Sequence, residues 1–428
     1  VPGINILRAH VVTEALHDSG ERFPEPACHP GTHIISKLGQ KLVMKFGLQP
    51  YYLVASRLGG SGKVGYCADI RRELRERGQA RCIFFLKHGH PKRGTGSGII
   101  TTLAYQLAIS IPEFLLPLQQ AIEKDKLVAG RALTVQFQRL LVEPFQQVAP
   151  LQSPPVVVLD GLDEFDDHKV QEQIVRLFIS AVRDYQLPLR ILVTSRPEPH
   201  LREIFEMKEA CATCRCSALS ADCTDIRTYL RDEFSRIHSE NLARGTDLGA
   251  VWPPPDALLN LVSKSSGIFV YATTVVRYID DRYWNPQERL LSVLALDPES
   301  TAPLDDLYTS ILSIVPHVPQ NSRILHLIWC GGWNPEEVDI ILKLRGGTSR
   351  RILSSLCSLL DVPELSTRYS RRSAVGFLHA SFHDFLHDER RSGRWCIAPS
   401  WLESDWLASM IRLLSIPRRV DQNTAFYQ

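Results

Sequence analysis

Short continuous apolar runs and longer runs of helical period alternate along the first half of this chain. Four of the short runs read as strands: residues 51–56 (YYLVAS), the run opening at Arg81 (RCIFFL), residues 156–159 (VVVL) and residues 190–194 (RILVT). Their lack of polar alternation is the pattern of strands covered on both faces. Between them, residues 63–77 carry Cys67, Ile70 and Leu74 on one stripe and stop at Gly78, and a further helix begins near Ile99. Strands alternating with helices predict a parallel sheet with helical crossovers over residues 51–205. Upstream, residues 1–50 read as a helical lead-in broken by Pro24, Pro26 and Pro30. Downstream, residues 206–300 turn helical. Asp222 or Thr224 caps a helix carrying Ile226, Tyr229, Leu230 and Phe234, an apolar helix runs from Phe269 to Ile279, and Trp252-Pro253-Pro254-Pro255 reads as a linker. Residues 301–428 are mostly helical, and no internal repeat is visible.

Chemistry enters at the ends of the strands. After the first run come Arg57-Leu58-Gly59-Gly60-Ser61-Gly62-Lys63-Val64, a phosphate-binding loop altered at two positions of G-x-x-x-x-G-K-[ST]. Gly59, Gly60, Ser61 and Gly62 bring backbone N–H groups to phosphate oxygens, and Lys63 reaches the terminal phosphates. Arg57 stands at the first glycine position, where its bulk is expected to distort the opening turn. Val64 replaces the hydroxyl residue and offers no oxygen to Mg²⁺. The third run ends in Asp160-Gly161-Leu162-Asp163-Glu164, three carboxylates where parallel sheets bind ligands. Asp160 suits a metal ion, and Asp163 and Glu164 suit the orientation of water. The fourth run ends in Ser195-Arg196, an arginine able to sense a γ-phosphate.

These segments, with TLAYQLA at 102–108, resemble the NACHT-type nucleotide-binding proteins, specifically the fungal group, a STAND class of P-loop NTPase with a nephrocystin-like N-terminal region. Cys28-His29-Pro30-Gly31-Thr32 is similar to the segment preceding that NTPase. Gly267 to Thr273, Leu304-Asp305-Asp306-Leu307-Tyr308 and LHASFHDFL at 378–386 are similar to its helical and winged-helix regions. The resemblance implies an α/β P-loop NTPase core over 51–205 followed by helical and winged-helix-like domains. It implies phosphate binding by Gly59 to Lys63, a Mg²⁺ carboxylate at Asp160, water activation by Asp163 and Glu164, a sensor at Arg196, and a winged-helix histidine at His379 that touches the diphosphate of ADP. The ligand so implied is ATP or ADP, with GTP as the alternative base, and Val64 puts Mg²⁺ in question. The function so implied is a signalling switch with slow or absent hydrolysis. Two alternatives stand beside it: a degenerate scaffold acting through protein contacts alone, and a housekeeping ATPase.

Composition narrows the picture a little further. The 428 residues hold 49 basic and 47 acidic side chains, a net charge of +2, which leaves no electrostatic footprint for nucleic acid. No apolar run approaches the length of a membrane span. The chain opens on Val1-Pro2-Gly3, so it reads as a fragment of a cytoplasmic protein whose flanking effector or repeat domains meet protein partners, with nucleotide-dependent self-association and neither nucleic acid nor membrane involved. Cys211, Cys214, Cys216 and Cys223 lack a second spaced pair or a histidine, so they read as free thiols in an exposed connection. His379, His383 and His387 fall at i, i+4 and i+8, one face of any helix spanning them. Gly94-Thr95-Gly96-Ser97-Gly98 lacks a lysine and reads as a flexible turn.

Overall fold

The computed structural model describes residues 2–16, 19, 29, 53–58, 81–86, 92–94, 96, 98–165, 167–196, 198–211, 214–219, 223–316, 318–330, 333–363 and 374–397. Two compact units divide the chain, Val1–Val276 and Arg277–Gln428, the division falling within the helix Phe269–Ile279.

The first unit is built on a parallel sheet of five strands. These are β1 (Leu53–Leu58), β2 (Arg81–Phe85), β3 (Val156–Asp160), β4 (Arg190–Ser195) and β5 (Cys214–Leu219), in the order β2-β3-β4-β1-β5. Every residue of β3 is buried, as its unbroken apolar run requires. β5 is the strand that sequence reasoning missed. Its CRCSAL sequence has little of the β-branched or aromatic content that marks strands, and only pairing along β1, Leu53 with Cys214 through Leu58 with Leu219, makes it one. Cys214 and Cys216 are therefore in the sheet rather than in an exposed connection, while Cys211 ends the helix Lys208–Cys211. Cys214 is buried and Cys223 exposed, and neither forms a disulfide.

Helices cover the sheet. Ile99–Ser110 lies against β2 with Ile99, Ile100, Leu103, Ala104 and Leu107 fully buried. Its Gln106 side chain accepts from the Ile83 N–H and donates to the Ile83 carbonyl, both at 2.9 Å. That amide completes the hydrogen bonding of an edge strand, which otherwise leaves backbone groups unpaired. The opening helix Pro2–Arg8 packs on Ile99–Ser110 and on Pro112–Lys124, and Leu7, Val12 and Ala15 belong to the common core. The lead-in is thus tied to the sheet's own helices. Val12 N–H donates to Thr102 Oγ1 at 2.9 Å, and Thr101 Oγ1 donates to the His10 carbonyl at 3.0 Å.

The glycine turn before Ile99 is closely packed, not loose. A Cβ on Gly96 (φ +70) would lie 2.6 Å from Val170 Cγ1, and one on Gly98 (φ +82) 2.7 Å from Val12 Cγ2. Glycine is required there by both backbone and space. A second expectation also changes. Trp252 is not part of an exposed linker, because it is buried and meets Phe234 edge-on at 5.4 Å, while Pro255 opens the helix Pro255–Ser265. Phe234 belongs to the helix Cys223–Ala243, which buries Ile226, Leu230, Phe234 and Ile237 at the spacing read from the sequence.

The second unit is helical with a two-stranded antiparallel ribbon, Leu360–Asp361 paired with Gly376–Phe377. Proline at a first helical position starts Pro286–Leu294, Pro303–Leu312 and Pro335–Ile341, where its missing N–H costs nothing. The capping box Asn334/Glu337 fixes the start of the last of these. Two sequence segments far apart in the chain meet here. Tyr308, from Leu304-Asp305-Asp306-Leu307-Tyr308, is buried against Phe382 and Phe385 of Ala380–His387, and its hydroxyl lies 2.7 Å from Ser381 Oγ. Arg391 closes the same contact with a two-pronged bond to Asp305 at 2.7 and 2.9 Å. Among the described residues no helix is long and apolar enough to cross a membrane.

Candidate functional site

β4 lies between β1 and β3, so the tip of β3 stands two strand spacings, about 10 Å, from the tip of β1. Arg196 follows β4 directly and sits between them. The C-terminal ends of parallel strands form the crevice in which open α/β sheets bind ligands. This crevice carries two carboxylates and one guanidinium in contact with the sheet's own hydrogen-bonding groups.

Asp160 is the last residue of β3, in register with Thr194 of β4 and with Phe85 of β2. It is buried at 3% exposure. The fully buried Thr194 hydroxyl donates to Asp160 Oδ1 at 2.5 Å, in the range of a charge-assisted O–H···O⁻ bond, and accepts from the Gly161 N–H at 2.9 Å. One hydroxyl therefore fixes both the carboxylate and the turn that follows it. Gly161 adopts the left-handed conformation (φ 84, ψ 46), and a Cβ there would come within 3.3 Å of the Glu164 carboxyl. The turn Leu162–Glu164 is anchored by fully buried Leu162, with Glu164 N–H donating to the Gly161 carbonyl at 2.7 Å.

Asp163 points back into this turn rather than outward. Its side chain is 3% exposed; Oδ1 accepts the backbone N–H of Arg196 at 3.0 Å, and Oδ2 lies 3.1 Å from Arg196 Nε. Behind the acidic turn, Gln171 of His168–Arg183 donates from Nε2 to the Phe165 carbonyl at 3.0 Å and accepts at Oε1 from His200 Nε2 at 2.6 Å. His200 stacks on His168 at 4.3 Å. Burial and the neighbouring His168 push the His200 pKa down, against the opposing pull of Glu172, Glu198 and Glu203.

The expected residues divide by place. Asp160, Asp163, Glu164 and Arg196 come together at the tips of β3 and β4. Gly59, Gly60, Ser61, Gly62, Lys63 and Val64 lie outside the described residues, as does the helix expected at 63–77. Arg57 lies within β1, paired with Ser195 and Ala218. Its backbone is extended there, and the loop whose opening turn it was expected to distort lies outside the described residues. His379 belongs to the second unit. It is the N-cap of Ala380–His387 (φ −148, ψ 138), with Nδ1 accepting the Ser381 N–H at 3.0 Å. The supposed stripe of three histidines is broken accordingly, because His379 is outside the helix. His383 and His387 lie one turn apart against Trp329, whose Nε1 donates to His383 Nε2. Among the described residues no three or more His, Cys, Asp or Glu side chains cluster as a metal site would require.

Sequence reasoning missed Thr194 and Gln171. Thr194 stood in plain view in RILVTS, but its role depends on the register of β3 against β4. Gln171 is one buried amide in an amphipathic helix, with no local mark.

The family profile described as Nephrocystin 3, N-terminal, matches residues 49–196, the span from before β1 to Arg196. A search of curated proteins finds no match. Among solved structures the chain is similar to the Orc1 protein of Aeropyrum pernix in complex with DNA, at 14% identity over 84% of this chain and 93% of that one, with a TM-score of 0.38. It is similar to RuvB of Thermotoga maritima at 12% identity over 84% and 95%, with a TM-score of 0.32. It is also similar to a Drosophila ORC complex bound to poly(dA/dT) DNA and Cdc6, at 13% identity over 70% and 50%, with a TM-score of 0.32. The fold is a parallel α/β sheet followed by helical regions, one with a short antiparallel ribbon. One expectation is withdrawn with these matches. Partnership with proteins to the exclusion of nucleic acid does not stand beside neighbours whose structures are described with DNA.

Proposed function

We propose that this chain is a nucleotide-dependent switch of the NACHT kind, which holds ATP or ADP in the crevice at the tips of β1, β3 and β4 and hydrolyses it slowly or not at all. The observation that carries the reading is the pairing at two adjacent strand tips of a held carboxylate and a held guanidinium. Asp160 is fixed by Thr194 and Arg196 by Asp163, beside the strand that leads into Gly59 to Lys63. Such preorganised charge is what phosphoryl recognition uses.

In this reading the loop amides and Lys63 bind the β- and γ-phosphates, and Arg196 meets the terminal phosphate from β4. Asp160 is a hard-oxygen ligand with a fixed orientation and fits Mg²⁺. When bound, the ion would neutralise charge on the terminal phosphates. Val64 supplies no second oxygen beside Asp160, and this is the basis for slow turnover. Six cysteines among the described residues are free, which supports a reducing, cytoplasmic setting.

The test is direct. Purified protein is denatured and the supernatant assayed for nucleotide, and binding to the refilled protein is measured by calorimetry. ADP or ATP in the supernatant, and a fall in affinity of tenfold or more for Lys63→Ala, are the expected results, since a charge-assisted contact to phosphate is worth roughly 1.5–3 kcal/mol. Absence of nucleotide together with no measurable binding would favour the scaffold instead.

A further inference from the structure

Asp163 sits where the sequence suggests a residue that activates water, but its surroundings suit another task. A general base needs its carboxylate within hydrogen-bond reach of the water it deprotonates. The Asp163 side chain is 3% exposed and turns both oxygens toward Arg196, Oδ1 to its backbone N–H and Oδ2 to its Nε. Glu164, the other carboxylate of this turn, folds its carboxyl over Gly161 next to Asp160.

The manner of the grip matters. Holding the backbone N–H and Nε together fixes Arg196 at both the root and the neck of its side chain. A guanidinium held through Nε turns its terminal edge, the pair of amino groups, away from the holding carboxylate. Arg196 stands at the end of β4, between the tips of β1 and β3, and its side chain is 24% exposed where that of Asp163 is closed off. The buried partner sets the direction and the partly exposed one reaches the crevice. A long side chain oriented before its ligand arrives loses less conformational freedom on binding.

We propose that Asp163 is a positioning residue that aims Arg196 at the γ-phosphate, and that it thereby sets how strongly the protein prefers a nucleoside triphosphate to a diphosphate. The proposal rests on the reading of the crevice as a nucleotide site. In this role Asp163 acts through Arg196, and a diphosphate lacks the group that Arg196 addresses. The acidic turn Leu162–Glu164 then feels the nucleotide state through one ion pair. Terminal phosphate draws on the guanidinium that Asp163 holds, and loss of that phosphate returns it.

The experiment measures the ratio of Kd for ADP to Kd for a non-hydrolysable ATP analogue in the full chain. It compares wild type, Asp163→Asn, Arg196→Ala and the double variant. Asp163→Asn keeps an oxygen for the Arg196 N–H and removes the charge facing Nε. Its ratio is expected to fall by about tenfold or more, in line with a charge-assisted contact. Arg196→Ala should fall at least as far, and the double variant should match Arg196→Ala alone. Asp163→Glu should recover part of the preference. A general loss of stability leaves the ratio unmoved, because both ligands bind the same folded state. A second measurement does not depend on nucleotide: site-resolved modification of Arg196 by phenylglyoxal should be faster in Asp163→Asn than in wild type.

An unchanged ratio in Asp163→Asn, additive effects in the double variant, or unchanged reactivity of Arg196 would each overturn the role of Asp163 while leaving the nucleotide site intact. Wild-type protein that binds neither ligand would overturn the nucleotide site, and the role of Asp163 with it.

Discussion

Replacing Thr194 with valine removes one hydroxyl from the interior and keeps the shape of the side chain, so it isolates what that hydroxyl does. In the structure the group donates to Asp160 Oδ1 at 2.5 Å and accepts from Gly161 N–H at 2.9 Å, and it is fully buried. The Gly161 N–H also reaches the Thr194 carbonyl at 3.1 Å, so that bond is only partly lost. The bond to Asp160 Oδ1 is lost outright, because valine carries no donor. A hydrogen bond to a charged group is worth about 1.5–3 kcal/mol, and leaving a buried carboxylate short of a donor puts Thr194→Val near the upper half of that range, about 2–3 kcal/mol. Thr194→Ser keeps the hydroxyl and loses one buried methyl, about 1 kcal/mol. Hydrogen exchange read on peptides covering β3 and β4 measures this locally, without requiring both units to unfold together. Protection of these peptides should fall by about 30- to 150-fold in Thr194→Val and by less than about tenfold in Thr194→Ser, at 1.36 kcal/mol per tenfold. With Asp160→Asn, the two changes should show a coupling of at least about 1 kcal/mol. Equal protection in the valine and serine variants, or simple additivity with Asp160→Asn, would refute the claim that this hydroxyl holds the carboxylate.

Three further outcomes are expected. Val64→Ser should raise Mg²⁺-dependent ATP turnover, because it restores a hydroxyl ligand to accompany Asp160, and a steady-state phosphate-release assay decides it; brisk turnover in the unaltered protein would contradict the argument from Val64. His379→Ala should lower stability by about 1 kcal/mol through loss of the cap on Ala380–His387 and should also speed ADP release by about fivefold or more, measured by displacement of a fluorescent analogue; unchanged release would leave His379 a helix cap only. His387 should make the second unit sensitive to acid. Burial, with His383 and His326 beside it and Asp384 opposing, lowers its pKa from 6.5 to about 4. The folded state then resists a proton that the unfolded chain accepts, so stability is complete above pH 6.5 and is lost as pH falls from 6.5 toward 4. Discounted for the partial exposure of His387, the loss is about 1 kcal/mol, and thermal melts at pH 7.5 and 5 should show His387→Phe losing less than wild type.

The sequence by itself determined what local pattern and local chemistry can carry. Continuous apolar runs at 81, 156 and 190 required strands buried on both faces, and the helices at Ile99, Ile226 to Phe234 and Phe269–Ile279 followed from spacing alone. Glycines, a lysine and carboxylates at strand ends carried the expectation of phosphate chemistry, because those groups must lie at fixed short intervals after a strand. Tertiary structure decided everything that depends on partners far along the chain. β5 is a strand because β1 offers it a ladder, and Trp252 is buried where Phe234 and His238 meet its ring. Thr194 matters because the register of β3 and β4 sets it opposite Asp160, 34 residues away. Asp163 reads as an acid for water activation because it follows Asp160 in a run of acids. Its contact with Arg196 is legible only in the structure, where the turn at Gly161 brings its carboxylate to the end of the neighbouring strand, a direction that no spacing along the chain encodes.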